Sequence, residues 1–286
     1  SGELDSAMVV GVEKMTDAAP TEVTSALATA ADSDWELEQG ISFVGLNALI
    51  MRRYMHEYGW KHEDFAPFSL NAHANAAHNP NARLPYPITL DQFNNAHMVA
   101  TPINLMDASP IGDGAAAVLI VPLENVRDHK GAVQITGSGA ATDTISVHSR
   151  KAPLFLQAAY LSAQRAYSEA NITPQQIDFF ELHDAFSIMS ALSLEACGFA
   201  ERGQGPRLGL DNEITPKGGR IPICTRGGLK ARGHPVGATG IYQIVETVQQ
   251  LRGECGETQV DTAKIGMTQN IGGSGASILT HIIQII

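Results

Sequence analysis

Three short stretches of this chain place reactive side chains next to glycines. Residues 226–240 read RGGLKARGHPVGATG, with His234 between Gly233 and Pro235 and an apolar periodic segment beyond. Proline fixes the backbone on one side and glycine permits tight approach on the other, so the imidazole is held on a constrained loop at a helix start, as a general base would be. An isolated GHP is more often a turn histidine without chemistry, so the other two stretches decide its weight. His183 and Asp184 follow a strand-like run, residues 177–180, and precede a helix carrying Ala185, Ile188, Met189 and Leu192 on one face. In open α/β sheets, ligands bind at that end of a strand. Residues 270–275, NIGGSG, join two further strand-like runs, 264–269 and 276–283. Their three glycines let backbone N–H groups point into a cleft and hold a negative oxygen. Each stretch lies at a strand end or a helix start, so one cleft can receive a base, a second imidazole and oxyanion donors.

The elements that must position these groups follow from periodicity. Residues 8–12, MVVGV, are rich in β-branched side chains, as expected of a strand buried on both faces of a parallel or mixed sheet. From Thr16 to about Met106 the pattern is irregular, with a helix over 42–58 and a loop-like run over 71–87, an excursion built on top of a sheet. His73, His78 and His97 fall here without the spacing of ligands on one helical face, which points to solvated or capping roles and not to a metal site. A turn cluster at 107–114 leads into a strand at 115–121, and another strand begins at 133–139. The restart of the pattern sets a boundary near 128–131, dividing the chain into 1–130 and 131–286. After Pro153, Leu154, Ala158 and Leu161 give a helix an apolar face that runs to Asn171. Thr173-Pro174 opens a short turn, and residues 203–219 read as a loop. Beyond His234, Ile241, Ile244, Val245, Val248 and Leu251 form a buried helical stripe.

Composition bounds the function. The chain has 286 residues, 44% hydrophobic and 17% charged, with a formal net charge of -11. That size suits one large or two medium domains. The charge argues against nucleic acid or an anionic membrane as partner, while leaving room for a local basic patch that takes a phosphorylated ligand. No apolar run approaches the roughly 20 residues that span a bilayer, and no signal-peptide pattern opens the sequence, so the cytoplasm is the expected compartment. Cys197, Cys224 and Cys255 match neither a zinc site nor a disulfide framework and read as reduced thiols. The sequence runs at once into a strand, as though entered in mid-domain.

HDAF at 183–186, GHPVGATG around His234 and NIGGSG at 270–275, together with GVEKMTD at 11–17 and SPIGDGAAA at 109–117, closely resemble the thiolase superfamily. Within it the match is to the archaeal-type acetyl-CoA acetyltransferases and the sterol-carrier-protein-type thiolases, which carry HD in place of NE. The resemblance covers essentially the whole chain, and it implies a thiolase fold layered α/β/α/β/α with mixed five-stranded sheets, the first half incomplete. It implies that His234 deprotonates a nucleophilic cysteine, that His183 takes an oxyanion-hole position in the HDxF loop, and that Gly272 offers its backbone N–H to a second oxyanion hole, with Asn270 in the same loop. The substrate would be a coenzyme A thioester, with no permanently bound cofactor and no metal. Arg150, Lys151, Arg226 and Lys230, with Arg232, are the basic residues nearest to hand for its phosphates.

Departures from the pattern carry equal weight. The acyl-accepting cysteine of these enzymes precedes the segment matching Ser1, so an N-terminal thiolase segment on the order of 100 residues is expected to complete the fold. The second reactive cysteine of the family is replaced at both of its usual places, by Ala185 and by Asn270. Cys224, ten residues before His234, reads as a buried structural thiol rather than a displaced reactive one. The resemblance implies a thiolase-type acyltransferase moving an acyl group through an enzyme cysteine to a carbon nucleophile. The alternatives are a C-acyltransferase with a non-CoA acceptor such as a phenolic ring, an aldolase-like enzyme, and a noncatalytic subunit. A homo-oligomer and a zinc-ribbon/OB-fold partner subunit are the partners it implies.

Overall fold

The computed structural model describes residues 4–126 and 131–286. The expected division between residues 130 and 131 falls against a segment, 127–130, that lies outside the described residues. The chain begins with strand β1, Ala7–Glu13, and then runs through helices α1, Pro20–Ala28, α2, Phe43–Tyr58, α3, Ala66–Ala76, and α4, Leu90–Asn94. The Ser42 side chain accepts the Gly45 N–H and caps α2 at its start, while Gly59 ends it in a left-handed conformation. Strands β2, Met98–Ala100, and β3, Ile103–Asn104, form a small ribbon before β4, Gly114–Ile120, which pairs antiparallel with β1. The second half contributes β5, Val133–Thr142, α5, Gln157–Ala170, β6, Phe179–Glu181, α6, Ser187–Ala196, α7, Gly205–Leu210, α8, Thr239–Leu251, β7, Ile265–Gly272, and β8, Ser277–Ile285.

The larger sheet has the order β5-β8-β7-β6, antiparallel except for the parallel pair β6 and β7. It has four strands where five were expected. An extended segment fills the fifth position: Phe180 N–H donates to Pro222 O at 2.8 Å, and Ile223 forms a single parallel bridge to Phe180. Helix α5 packs on β5 and β8, and α8 lies between this sheet and the β1–β4 pair, touching β7 and β8 as well as β1 and β4. That stacking of sheet, helix and sheet is the middle of a layered α/β arrangement.

Several expectations need correction. Strand β1 is not buried on both faces: one face packs on α8, while Met8, Val10 and Val12 are 69%, 59% and 68% exposed. An apolar run without alternation cannot say which of its faces is covered. Residues 71–76 are helical, in α3, because Asn71 and Asn75 spend their amides on neighbouring backbone, donating to Ile223 O and Cys224 O at 3.0 and 3.1 Å. Six residues of the expected 203–219 loop form α7, opened by Pro206. His73 is neither solvated nor capping but buried, its Nδ1 3.0 Å from Tyr86 O. On α8 the polar residues Gln243, Glu246, Thr247 and Gln250 are the buried set, and Ile241, Ile244, Val245 and Val248 are only half-buried. A helix held between two layers has two covered sides, and here the polar side meets the larger sheet.

Candidate active site

Carboxylates stitched to backbone N–H groups build the site. Glu181, the last residue of β6, accepts from Thr225 N and Thr225 Oγ1 at 2.8 and 2.6 Å. Asp184 accepts Leu229 N at 2.6 Å and Lys230 N at 3.4 Å, tying the 183–186 loop to the π-helical turn Gly228–Arg232 that precedes His234. That turn needs glycine: Gly228 has φ +52, and a Cβ there would stand 2.5 Å from the Asp184 carboxylate. The strip from Asp107 to Ile111 runs across both loops. Ser109 N donates to Ala185 O, Ser187 N to Asp107 O, Lys230 Nζ to Asp107 O, and Ile111 bridges His234. On the far side, Glu13 at the end of β1 accepts Gly237 N at 3.0 Å. A Cβ on Gly11 would meet Ala238 and Gly237 backbone at 2.8 Å, so only glycine admits this approach. Asp113 accepts Met15 N, Thr16 N and Thr16 Oγ1, fastening the two N-terminal motifs to each other.

This frame brings the two imidazoles together. The rings of His183 and His234 lie edge to face, centroids 5.1 Å apart and planes at 89°. Both line a cavity of about 330 Å3, along with Asn270, Gly272 and Gly273. Phe43, Val44, Phe186, Met189 and Ile271 supply much of its apolar wall. Gly272 ends β7, so Asn270 to Gly272 are strand rather than the expected loop, and only residues 273–276 turn. The His234 Nδ1 lies 2.7 Å from Thr239 Oγ1, and that hydroxyl donates its only proton to Pro235 O at 2.9 Å. Thr239 is therefore an acceptor toward the ring, Nδ1 carries the hydrogen, and Nε2 holds the lone pair of a base. Burial, with His183 and Arg232 adding to it, drives the His234 pKa well below its ordinary range, and burial followed by Arg232 brings His183 to about 3. Both rings are neutral near pH 7.

The basic residues do something other than expected. Arg150 donates to Ser274 O at 2.7 Å and to Thr144 O at 3.1 Å, bracing the glycine turn from behind. Arg226 is buried against Asn79, His78 O and Cys255 O. Lys230 is buried on Asp107 O, and Arg232 is buried 2.9 Å from Glu246. Lys151 is exposed, and none of the five lines the cavity. A loop position told nothing of whether a cation faces solvent or a carbonyl. The thiols are also withdrawn. Burial pushes Cys197 and Cys255 up to about 12 and also raises Cys224 well above the ordinary thiol range, and no cysteine lines the cavity. Among the described residues, no group of three His, Cys, Asp or Glu is placed to hold a metal ion, and no helix is long and apolar enough to cross a membrane.

A layered α/β fold that brings two histidine loops and a glycine turn to one cavity is that of a thiolase-type protein, as the comparisons with known proteins show. Residues 139–285 match the family described as Thiolase C-terminal domain-like. The chain is 46% identical over 285 residues to the acetyl-CoA acetyltransferase of Methanothermobacter thermautotrophicus, spanning 99% of this chain and 74% of that protein. It is 34% identical over 235 residues to sterol carrier protein 2 of Rattus norvegicus, spanning 80% of this chain and 43% of that protein. The solved structure titled Ltp2-ChsH2(DUF35) aldolase superposes with a TM-score of 0.84 at 25% identity, covering 98% of this chain and 72% of that one. The chain belongs to the thiolase family.

Two residues of the site escaped the sequence. Thr239 reads as an ordinary first-turn residue. Gln243 sits in the polar stripe of α8, whose spacing with Glu246, Thr247 and Gln250 is as regular as that of the apolar stripe and was the signal available.

Proposed function

We propose that the protein is a thiolase-type C-acyltransferase that takes an acyl group from a coenzyme A thioester onto an enzyme cysteine and passes it to a carbon nucleophile. The observation that carries this reading is the edge-to-face pair of neutral imidazoles on the wall of an apolar cavity. His234 Nε2 is the base that takes the thiol proton, and His183 and the Gly272 backbone stabilise the thioester oxygen as it gains charge. Such donors contribute several kcal/mol when aimed before the reaction starts. The relatives named acetyl-CoA acetyltransferase support the acyl-transfer step. The burial and raised pKa values of all three cysteines support an acyl-carrying thiol from outside these 286 residues. Of the four basic residues first considered, the exposed Lys151 is the one free to meet a phosphate of coenzyme A, while Arg150, Arg226 and Lys230 are buried on other partners. The solvent-facing Met8, Val10 and Val12 support burial of that face in an oligomer or against a partner subunit.

Intact-mass measurement of the full protein after incubation with acetyl-CoA tests this, with an acetyl adduct, lost on addition of free coenzyme A, as the expected result. No adduct with any short acyl donor would refute it. A second reading, cleavage of a carbon–carbon bond in a CoA ester without an acyl-enzyme, is favoured by the absence of any thiol at the cavity wall and by the likeness to a structure titled as an aldolase. Turnover of a β-hydroxyacyl-CoA with no covalent adduct would select it.

A further inference from the structure

We propose that Gln243 is a positioning residue that fixes the proton of His183 on Nε2 through the amide of Asn270; this rests on the acyl-transfer reading of the site. Gln243 is 1% exposed and stands one helical turn after Thr239 on the polar side of α8. Its Nε2 donates both hydrogens to main-chain carbonyls, Glu181 O at 3.0 Å and Gln269 O at 2.9 Å. Carbonyls only accept, so the orientation of the Gln243 amide is settled and its Oε1 must be an acceptor. Asn270 Nδ2 lies 3.2 Å from that oxygen. Turning the Asn270 amide over would set two oxygens against each other, so Nδ2 is the atom that stays. Its second hydrogen faces His183 Nδ1 at 3.4 Å, a long bond but the polar contact that ring nitrogen makes. His183 Nδ1 accordingly accepts, and the ring hydrogen resides on Nε2.

The consequence is a directed series running from two carbonyls, one at the end of β6 and one within β7, to the donor face of an imidazole. Neither carbonyl can change its role, so neither can the ring. His234 is oriented in the opposite sense by Thr239, with its hydrogen on Nδ1. The neighbouring rings thus carry opposite tautomers, one a donor and one a base, and both are set from the first two turns of α8. The series also gives Asn270 a role that a cysteine could not fill, because a thiol has no second hydrogen to hand on.

The test is long-range 15N–1H correlation of the imidazoles in the full protein, with His183 assigned by its disappearance in His183→Gln. The expected pattern for the unaltered protein is Nε2–H for His183 from pH 5 to 8. In Gln243→Met, of similar shape, Asn270 is released, Nδ1–H becomes populated, and kcat for acyl transfer falls about tenfold with KM within twofold. In Asn270→Asp the carboxylate takes the hydrogen from Nδ1, which inverts the tautomer and moves the acid limb of the pH–rate profile upward. Nδ1–H in the unaltered protein, or an unchanged tautomer in both folded variants, overturns the proposal. The nuclear resonance readout needs no turnover, so the stated tautomer in a protein that transfers no acyl group would sink the functional reading and leave this one standing.

Discussion

Thr239→Val removes one oxygen and leaves the volume of the side chain nearly unchanged, which isolates the hydroxyl that receives the His234 Nδ1 hydrogen at 2.7 Å. Thr239 is fully buried, so no water replaces the lost acceptor. A neutral hydrogen bond of this kind contributes about 0.5–1.5 kcal/mol net. Because about 1.4 kcal/mol is a tenfold change in an equilibrium, the ratio of the tautomer with its lone pair on Nε2 to the other should fall by about 2- to 10-fold. On the proposed acyl-transfer reading the base acts on the thiol and not on the bound acyl donor, so kcat should drop by up to that factor with KM little changed. Thr239→Ser keeps the oxygen and should recover most of the rate. Steady-state acyl transfer from acetyl-CoA, with a thermal melt to show that each variant is folded, reads the effect. A folded Thr239→Val protein with undiminished kcat, or one altered only in KM, would refute the assignment of Nε2 as the base.

Other expectations follow from buried charge and tight approach. The His183 pKa falls from 6.5 to about 3 on folding, so between those values the unfolded chain binds the extra proton and stability declines as pH falls; the change is on the order of 5 kcal/mol, and denaturant titrations of His183→Gln should show a flatter acid slope. Arg232→Met removes the cation 2.9 Å from Glu246, whose carboxyl pKa burial already pushes up to about 8, so urea denaturation should show a loss of stability that grows as pH rises through that value and the buried carboxylate ionises unpaired. Gly228→Ala demands a side chain at φ +52 against the Asp184 carboxylate, and should lower the melting temperature and separate the two histidine loops, seen as lost activity even where folding survives.

Much of the candidate site is legible in the sequence. His183, His234 and the 270–275 glycines announced themselves because proline, glycine and strand-end positions restrict the backbone locally, and local restriction is written in adjacent residues. The same holds for the helix read over 42–58 and the stop at Asn171. Arg150, Arg226 and Lys230 were misplaced, since what a cation pairs with is decided by chain from more than a hundred residues away: Ser274 O for Arg150, Asn79 for Arg226, Asp107 O for Lys230. The buried side of α8 was inverted for a related reason. Periodicity reports that a helix has two unlike faces, and nothing in it says that both will be covered.

The sequence by itself determined the order of elements, the glycine-bounded loops and which side chains are chemically able to act. Tertiary structure alone decided that two imidazoles 51 residues apart meet at 5.1 Å, and which polar side chains stand against the Nδ1 atom of each. Those outcomes depend on hydrogen bonds from Thr239, Gln243 and Asn270 that form only when helix α8 is laid across β6 and β7. A tautomer is a property of an imidazole's neighbours, and folding chooses the neighbours.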